Sequence, residues 1–114
     1  MELDSKIDYK IINDNVAVIT LPQIVVSGED AMEFSNIINQ LVMKDISKII
    51  VDLSQVDIIN STGLGMIAGT HNNLNKTNKK LYIINVNERI YKLFQTTHLN
   101  EVLNIETNLS NILK

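Results

Sequence analysis

Two adjacent hydroxyls, Ser61 and Thr62, stand out in the run Asn60-Ser61-Thr62-Gly63-Leu64-Gly65, where a strand-derived loop enters a helix. In one reading they are caps, since a Ser or Thr oxygen that accepts from a free first-turn amide contributes ~1 kcal/mol. In the other, Ser61 is a modification site. A phosphoryl group there would carry roughly −1.5 to −2 charges. The free N–H groups and the positive dipole end of a helix start would accept it without unfolding the domain. Its effect would then fall on a partner surface shaped for a neutral hydroxyl. Gly63 and Gly65 each lower helix propensity by ~1 kcal/mol, which points to the close approach of another backbone. The residues by themselves leave cap and regulated hydroxyl both open.

Other reactive types form no constellation. His71 and His98 are far apart in sequence; both read as structural. Gly63-Leu64-Gly65 lacks the third glycine of a dinucleotide turn, and no Walker-type loop is present. Ser61 has no flanking glycine pair of the nucleophile-elbow kind. Asp52 ends an apolar run, as a phospho-accepting aspartate would, but the preceding strand ends in Thr20-Leu21-Pro22 and supplies no acidic pair for magnesium. Asp52 therefore reads as a turn or capping residue. Lys76, Lys79 and Lys80 read as the solvated end of a helix.

These residues must be positioned by the elements around them. Alternating Ile7, Tyr9 and Ile11 predict a half-buried strand over 6–12, and Asn13-Asp14-Asn15 predicts a turn into a second strand over 16–21. Pro22 ends that strand. Ser27 reads as an N-cap, followed by a helix whose apolar face is Ala31, Phe34, Ile37, Ile38, Leu41 and Val42. The run KIIVDL over 48–53 predicts a strand covered on both faces. A helix from the hydroxyl pair to about Asn75 buries Leu64, Ile67, Ala68 and Leu74, with His71 on or near that face. A strand over 80–85 follows, then a helix capped by Asn87 that buries Ile90, Leu93 and Phe94. A short extended piece near 103–105 and a small terminal helix through Leu109, Ile112 and Leu113 complete the chain. Helices alternate with strands after an initial hairpin, which predicts an α/β sandwich on a mixed sheet.

Composition narrows the function classes. At 114 residues there is room for one domain; 45% hydrophobic residues make a core feasible, and 4% aromatics make it aliphatic. The net charge of −3, with Arg89 the single arginine, gives no basic face for direct nucleic-acid binding. Without cysteine there are no disulfides, thiolate zinc sites or Cys nucleophiles. No apolar run approaches the ~20 residues of a membrane span, and the polar start MELDSKIDYK is unlike a signal peptide. A cytoplasmic protein without membrane insertion is expected.

The segment 51–65, VDLSQVDIINSTGLG, resembles the signature of STAS domains, and most of all the stand-alone bacterial anti-sigma factor antagonists. In that family a buried strand ends in Asp-Leu-Ser, and an apolar pair precedes Asp-Ser-Ser/Thr-Gly-Leu-Gly at a helix start. The strand over 80–85, Glu88-Arg89-Ile90-Tyr91-Lys92-Leu93-Phe94 and Thr97-His98-Leu99 match the later elements, so the likeness covers nearly the whole chain, 1–114, as a single domain. It implies a STAS-like α/β fold, with a mixed four- to five-stranded sheet begun by a hairpin and packed with about four helices.

The resemblance also implies a non-enzymatic binding module without cofactor or metal. Such antagonists bind an anti-sigma factor that is also a serine kinase and so release a sigma factor. The kinase phosphorylates the motif serine and breaks the complex, and a serine phosphatase restores it. Carried over, the acceptor is Ser61. The partner-binding residues are Gln23, Ile24, Asn60, Thr62, Gly63, Leu64 and Met66, with 22–25 as the second partner-facing loop. A monomer is the default expectation. Three positions depart from the family pattern: Asn60 replaces the usual Asp, Pro22-Gln23-Ile24-Val25 replaces Gly-x-Leu-Asp, and His98 replaces a Gly. The alternative reading is a non-phosphorylated accessory subunit or adaptor of a membrane lipid-transport or sensory complex, which a neutral Asn60 suits better than an Asp would.

Overall fold

The chain begins its described structure as a hairpin. β1 (Asp8–Asn13) pairs antiparallel with β2 (Val16–Thr20), and the Asn13 side chain accepts from the Asn15 amide at 3.0 Å to close the turn. This computed structural model describes residues 7–107 and 109–113. The expected strand start at Lys6, and the parts of the single domain at 1–6, 108 and 114, lie outside the described residues.

β2 is followed by β3 (Ile24–Val25), α1 (Gly28–Met43), β4 (Lys48–Asp52), β5 (Ile58–Ile59), α2 (Ser61–Asn75), β6 (Lys80–Ile84) and α3 (Glu88–Thr96). A 3-10 turn over Leu99–Glu101, β7 (Asn104–Ile105) and α4 (Leu109–Leu113) complete it. The main sheet has the order β1-β2-β4-β6-β7, antiparallel only in the hairpin and parallel thereafter. The expected mixed sheet, hairpin and four helices are all present. β3 and β5, two residues each, pair in parallel as a separate ribbon. Neither was expected, because two-residue strands are too short for any period to show.

The parallel register assigns the faces. Ala17, Ile49 and Leu81 align, as do Ile19, Val51 and Ile83, and all six are buried in the main core with Phe34, Leu41, Ile67 and Phe94. Alternate residues point the other way, where Val16, Val18, Ile50 and Ile84 form a second cluster with Ile112 of α4. The KIIVD strand is therefore covered on both faces, as its unbroken apolar run requires. The edge strand behaves differently from expectation: Ile7 is buried, but Tyr9 and Ile11 are exposed and Ile12 is half-buried. Tyr9 and Ile11 share the face of Ile19 and Ala17, yet at the sheet edge no helix fully covers them, although the Tyr9 hydroxyl reaches Gln40 Oε1 of α1 at 3.4 Å. Leu93 is likewise exposed, because Ile90 and Phe94 alone seat the short helix α3.

Caps fix the helix starts. Ser27 accepts from the Asp30 amide at 3.1 Å while Asp30 accepts from the Ser27 amide, a complete capping box. Asn87 accepts from the Ile90 amide at 2.8 Å. His98 adopts φ 63°, the left-handed region that glycine enters freely. This accounts for a glycine being usual there, and His is among the few other types that tolerate it.

Candidate functional site

The β3–β5 ribbon joins the two segments that the sequence marked separately. Ile24 aligns with Ile58 and Val25 with Ile59, so the loop after β2 lies alongside the residues leading into α2. The Gln23 carbonyl accepts from the amides of Asp57 and Ile58, at 2.8 and 3.1 Å, and the Gln23 side chain donates to the Asp57 carboxylate at 2.6 Å. The Arg89 guanidinium at the start of α3 donates to the Asp57 carbonyl, tying a third element to the ribbon. Valine and isoleucine, favoured in strands for their stiff branched side chains, explain why so short a ribbon forms.

Asn60 is the N-cap of α2. Its Oδ1 accepts from the amides of Thr62 and Gly63 at 3.0 and 3.2 Å, and its Nδ2 donates to the Val26 carbonyl at 3.2 Å. The capping reading of the hydroxyl pair is thus corrected: the cap is the carboxamide before it. Ser61 occupies the first helical position with an exposed side chain, which makes no hydrogen bond among the described residues. Thr62 is exposed beside it. The amides and dipole of a fifteen-residue helix stand behind this hydroxyl.

The expected contact residues divide into two groups. Gln23, Ile24, Asn60 and Thr62 are exposed around Ser61, and Met66 is half-buried, packed against the core. Gly63 and Leu64 are buried, so they set the backbone instead of presenting a side chain. A Cβ on Gly63 would lie 2.5 Å from Ile59 Cγ1 and 2.8 Å from the Val25 carbonyl oxygen. That is the close approach suggested by the glycine, and the approaching backbone is β3. Around Gly65 there is open space. The sequence reading missed Ile58, 52% exposed, which pairs with Ile24 at 49% to make an apolar patch beside the hydroxyl. The signal was there in the branched pair Ile58-Ile59 facing Ile24-Val25-Val26 across the motif.

The remaining candidates are structural. Asp52 Oδ1 accepts from the Ser54 amide at 2.9 Å and from Asn85 Nδ2 at 3.0 Å, fixing the turns after β4 and β6. His71 is buried on α2, where Asn75 Nδ2 lies 3.2 Å from its Nε2. Loss of solvation and the nearby Lys80 cation hold its pKa below the ordinary 6.5. His98 is exposed and 3.3 Å from Glu101. Among the described residues no group of three or more His, Asp or Glu is placed to hold a metal ion, and no helix is long and apolar enough to cross a membrane.

Comparison with known proteins gives this geometry its family. The family model described as the STAS domain matches residues 6–112. An anti-sigma-B factor antagonist of Staphylococcus epidermidis is 44% identical over 55 residues, 48% of this chain and 51% of that protein. The chain thus spans about half the length of the curated relatives it matches. Two solved structures at 17% identity share the fold. The Bacillus cell fate determinant SpoIIAA in its phosphorylated form has a TM-score of 0.72, with 93% of this chain and 96% of that one covered. The anti-sigma factor antagonist SpoIIAA in its unphosphorylated form has a TM-score of 0.77, with 93% and 92% covered. With the five-stranded sheet, the ribbon at its end and a family match over nearly the whole sequence, the chain belongs to the STAS domain family.

Proposed function

We propose that this chain is an anti-sigma factor antagonist that works by binding, not catalysis. Its partner is an anti-sigma factor that is also a serine kinase, and the docking surface is the β3–β5 ribbon with the first turn of α2. Phosphorylation of Ser61 by the bound kinase releases the partner, and a serine phosphatase restores the free hydroxyl. The observation that carries this reading is the exposure of Ser61 at the first position of α2, its hydroxyl left without a capping role by Asn60. The exposed Ile24 and Ile58 beside it supply the apolar contact that a partner surface needs. Support also comes from the relatives named anti-sigma-B factor antagonist and from the fold shared with SpoIIAA, a protein known in phosphorylated and unphosphorylated forms.

The switch follows from placement. A phosphoryl group on Ser61 sits at the positive end of the α2 dipole, which favours negative charge, so the domain tolerates it. The partner instead meets roughly two added negative charges in a surface that must be desolvated to bind. The test is calorimetric titration of the anti-sigma factor kinase with wild type, Ser61→Ala and Ser61→Asp. Tight binding of the first two and loss with Ser61→Asp is expected, with all three melting within a few degrees of one another. Equal binding of all three would favour the second reading, a constitutive adaptor of a membrane lipid-transport or sensory complex. The neutral Asn60 at the position of an acidic neighbour is the observation on that side.

A further inference from the structure

A second site is built from different elements. At the carboxyl ends of β6 and β7 a cleft of about 630 Å³ is lined by the residues after β6, by α3 and by the segment around β7. This is the end of a parallel sheet at which open α/β proteins take up small ligands, and the volume falls within the ~300–1,000 Å³ typical of such sites. Leu103 and Ile105 give the cleft an apolar lining, with the ring of Tyr91 beside them.

Its one charged lining residue among the described residues is an acid. The Glu106 side chain lines the cleft and has no ion-pair partner among the described residues. Asn100 also lines it, and its Oδ1 is shut off from solvent with no hydrogen-bond partner. Asn85 has committed its Nδ2 to Asp52 at 3.0 Å, so its carbonyl oxygen is what remains to offer. Among the described residues no lysine or arginine lines the cleft.

We propose that this cleft binds a small organic cation, an alkyl- or arylalkylammonium. The ammonium meets the Glu106 carboxylate and the Asn85 side-chain oxygen, while the hydrocarbon body lies on Leu103 and Ile105. The Tyr91 ring adds attraction for the charge. An anion of the same shape would face Glu106 with no cationic side chain among the described residues to offset it. The proposal is independent of the role of Ser61.

The experiment is an NMR titration of the full ¹⁵N-labelled chain with phenethylammonium chloride, phenethyl alcohol and 3-phenylpropionate. Saturable shifts are expected for the ammonium at the Asn100 side-chain amide, Val86 and Leu103. The neutral alcohol should bind about tenfold more weakly, because a charge-assisted hydrogen bond becomes an ordinary one, and the anion not measurably. Glu106→Gln should weaken ammonium binding by a similar factor, and Tyr91→Phe should retain it. Absence of saturable ammonium shifts would overturn the proposal, as would equal binding of the anion. Those two outcomes are read on the wild-type chain and need no variant to fold.

Discussion

Asn60 Nδ2 donates to the Val26 carbonyl at 3.2 Å, and this one contact locks the end of β3 to the start of α2. The same carboxamide caps the helix through Oδ1, so it serves two elements at once. An aspartate could keep the cap but could not donate to Val26. Asn60→Ala should cost about 1–2 kcal/mol in urea unfolding, as a lost N-cap does. Asn60→Asp should cost less, because the dipole favours a carboxylate there. It should still speed hydrogen exchange at the ribbon amides of Asp57 and Ile58. Equal stability of the alanine variant and wild type would show that the cap is not the role of Asn60.

Gly63 and Gly65 should respond to alanine in opposite directions. At Gly63 the new Cβ meets a backbone oxygen 2.8 Å away that cannot swing aside. Gly63→Ala should therefore lose about 1–3 kcal/mol by overpacking despite alanine's better helix propensity. Gly65→Ala enters open space and should gain about 0.5–1 kcal/mol. Thermal melts of the pair check this.

His71 makes the fold sensitive to acid. Burial and the Lys80 cation hold its folded-state pKa below 6.5, so the unfolded chain takes up the proton more readily than the folded one. The stability contributed by the neutral ring is complete above pH 6.5 and is lost as pH falls toward the depressed folded-state value. The slope should reach at most about 1.4 kcal/mol per pH unit. Urea midpoints of wild type and His71→Gln between about pH 7 and 5 should diverge, with the variant the flatter. Parallel curves would contradict the assignment.

The regular elements were legible because their patterns are long. The apolar face of α1, the doubly covered KIIVD strand and the caps at Ser27 and Asn87 stand where the spacing puts them. The site was legible only in halves. Ser61 could be found as a hydroxyl at a helix start, and 22–25 as a loop, but their pairing depends on two-residue strands without a readable period. Of the two readings left open for the hydroxyl pair, the cap falls to Asn60 instead, since Asn competes with Ser at an N-cap and three-dimensional contact with Val26 decides between them. Edge exposure of Tyr9 and Ile11 is invisible to alternation, which marks a face without saying whether anything covers it.

Ile24 and Ile58 test the proposed docking surface without touching the hydroxyl. Both are about half exposed, so Ile24→Thr and Ile58→Thr should each change stability by no more than roughly 0.5 kcal/mol. Binding of the anti-sigma factor kinase should nonetheless weaken about tenfold or more, as for an apolar contact near the centre of an interface. Unchanged affinity in surface plasmon resonance would place the docking surface elsewhere.

The most direct test of the proposed switch is to incubate the chain with the proposed anti-sigma factor kinase and ATP, then determine intact mass and map the modified peptide. One phosphate on Ser61, and none on a Ser61→Ala variant, is the predicted result. No phosphate on Ser61 while a control antagonist is modified under the same conditions, or phosphate on another residue, would contradict it.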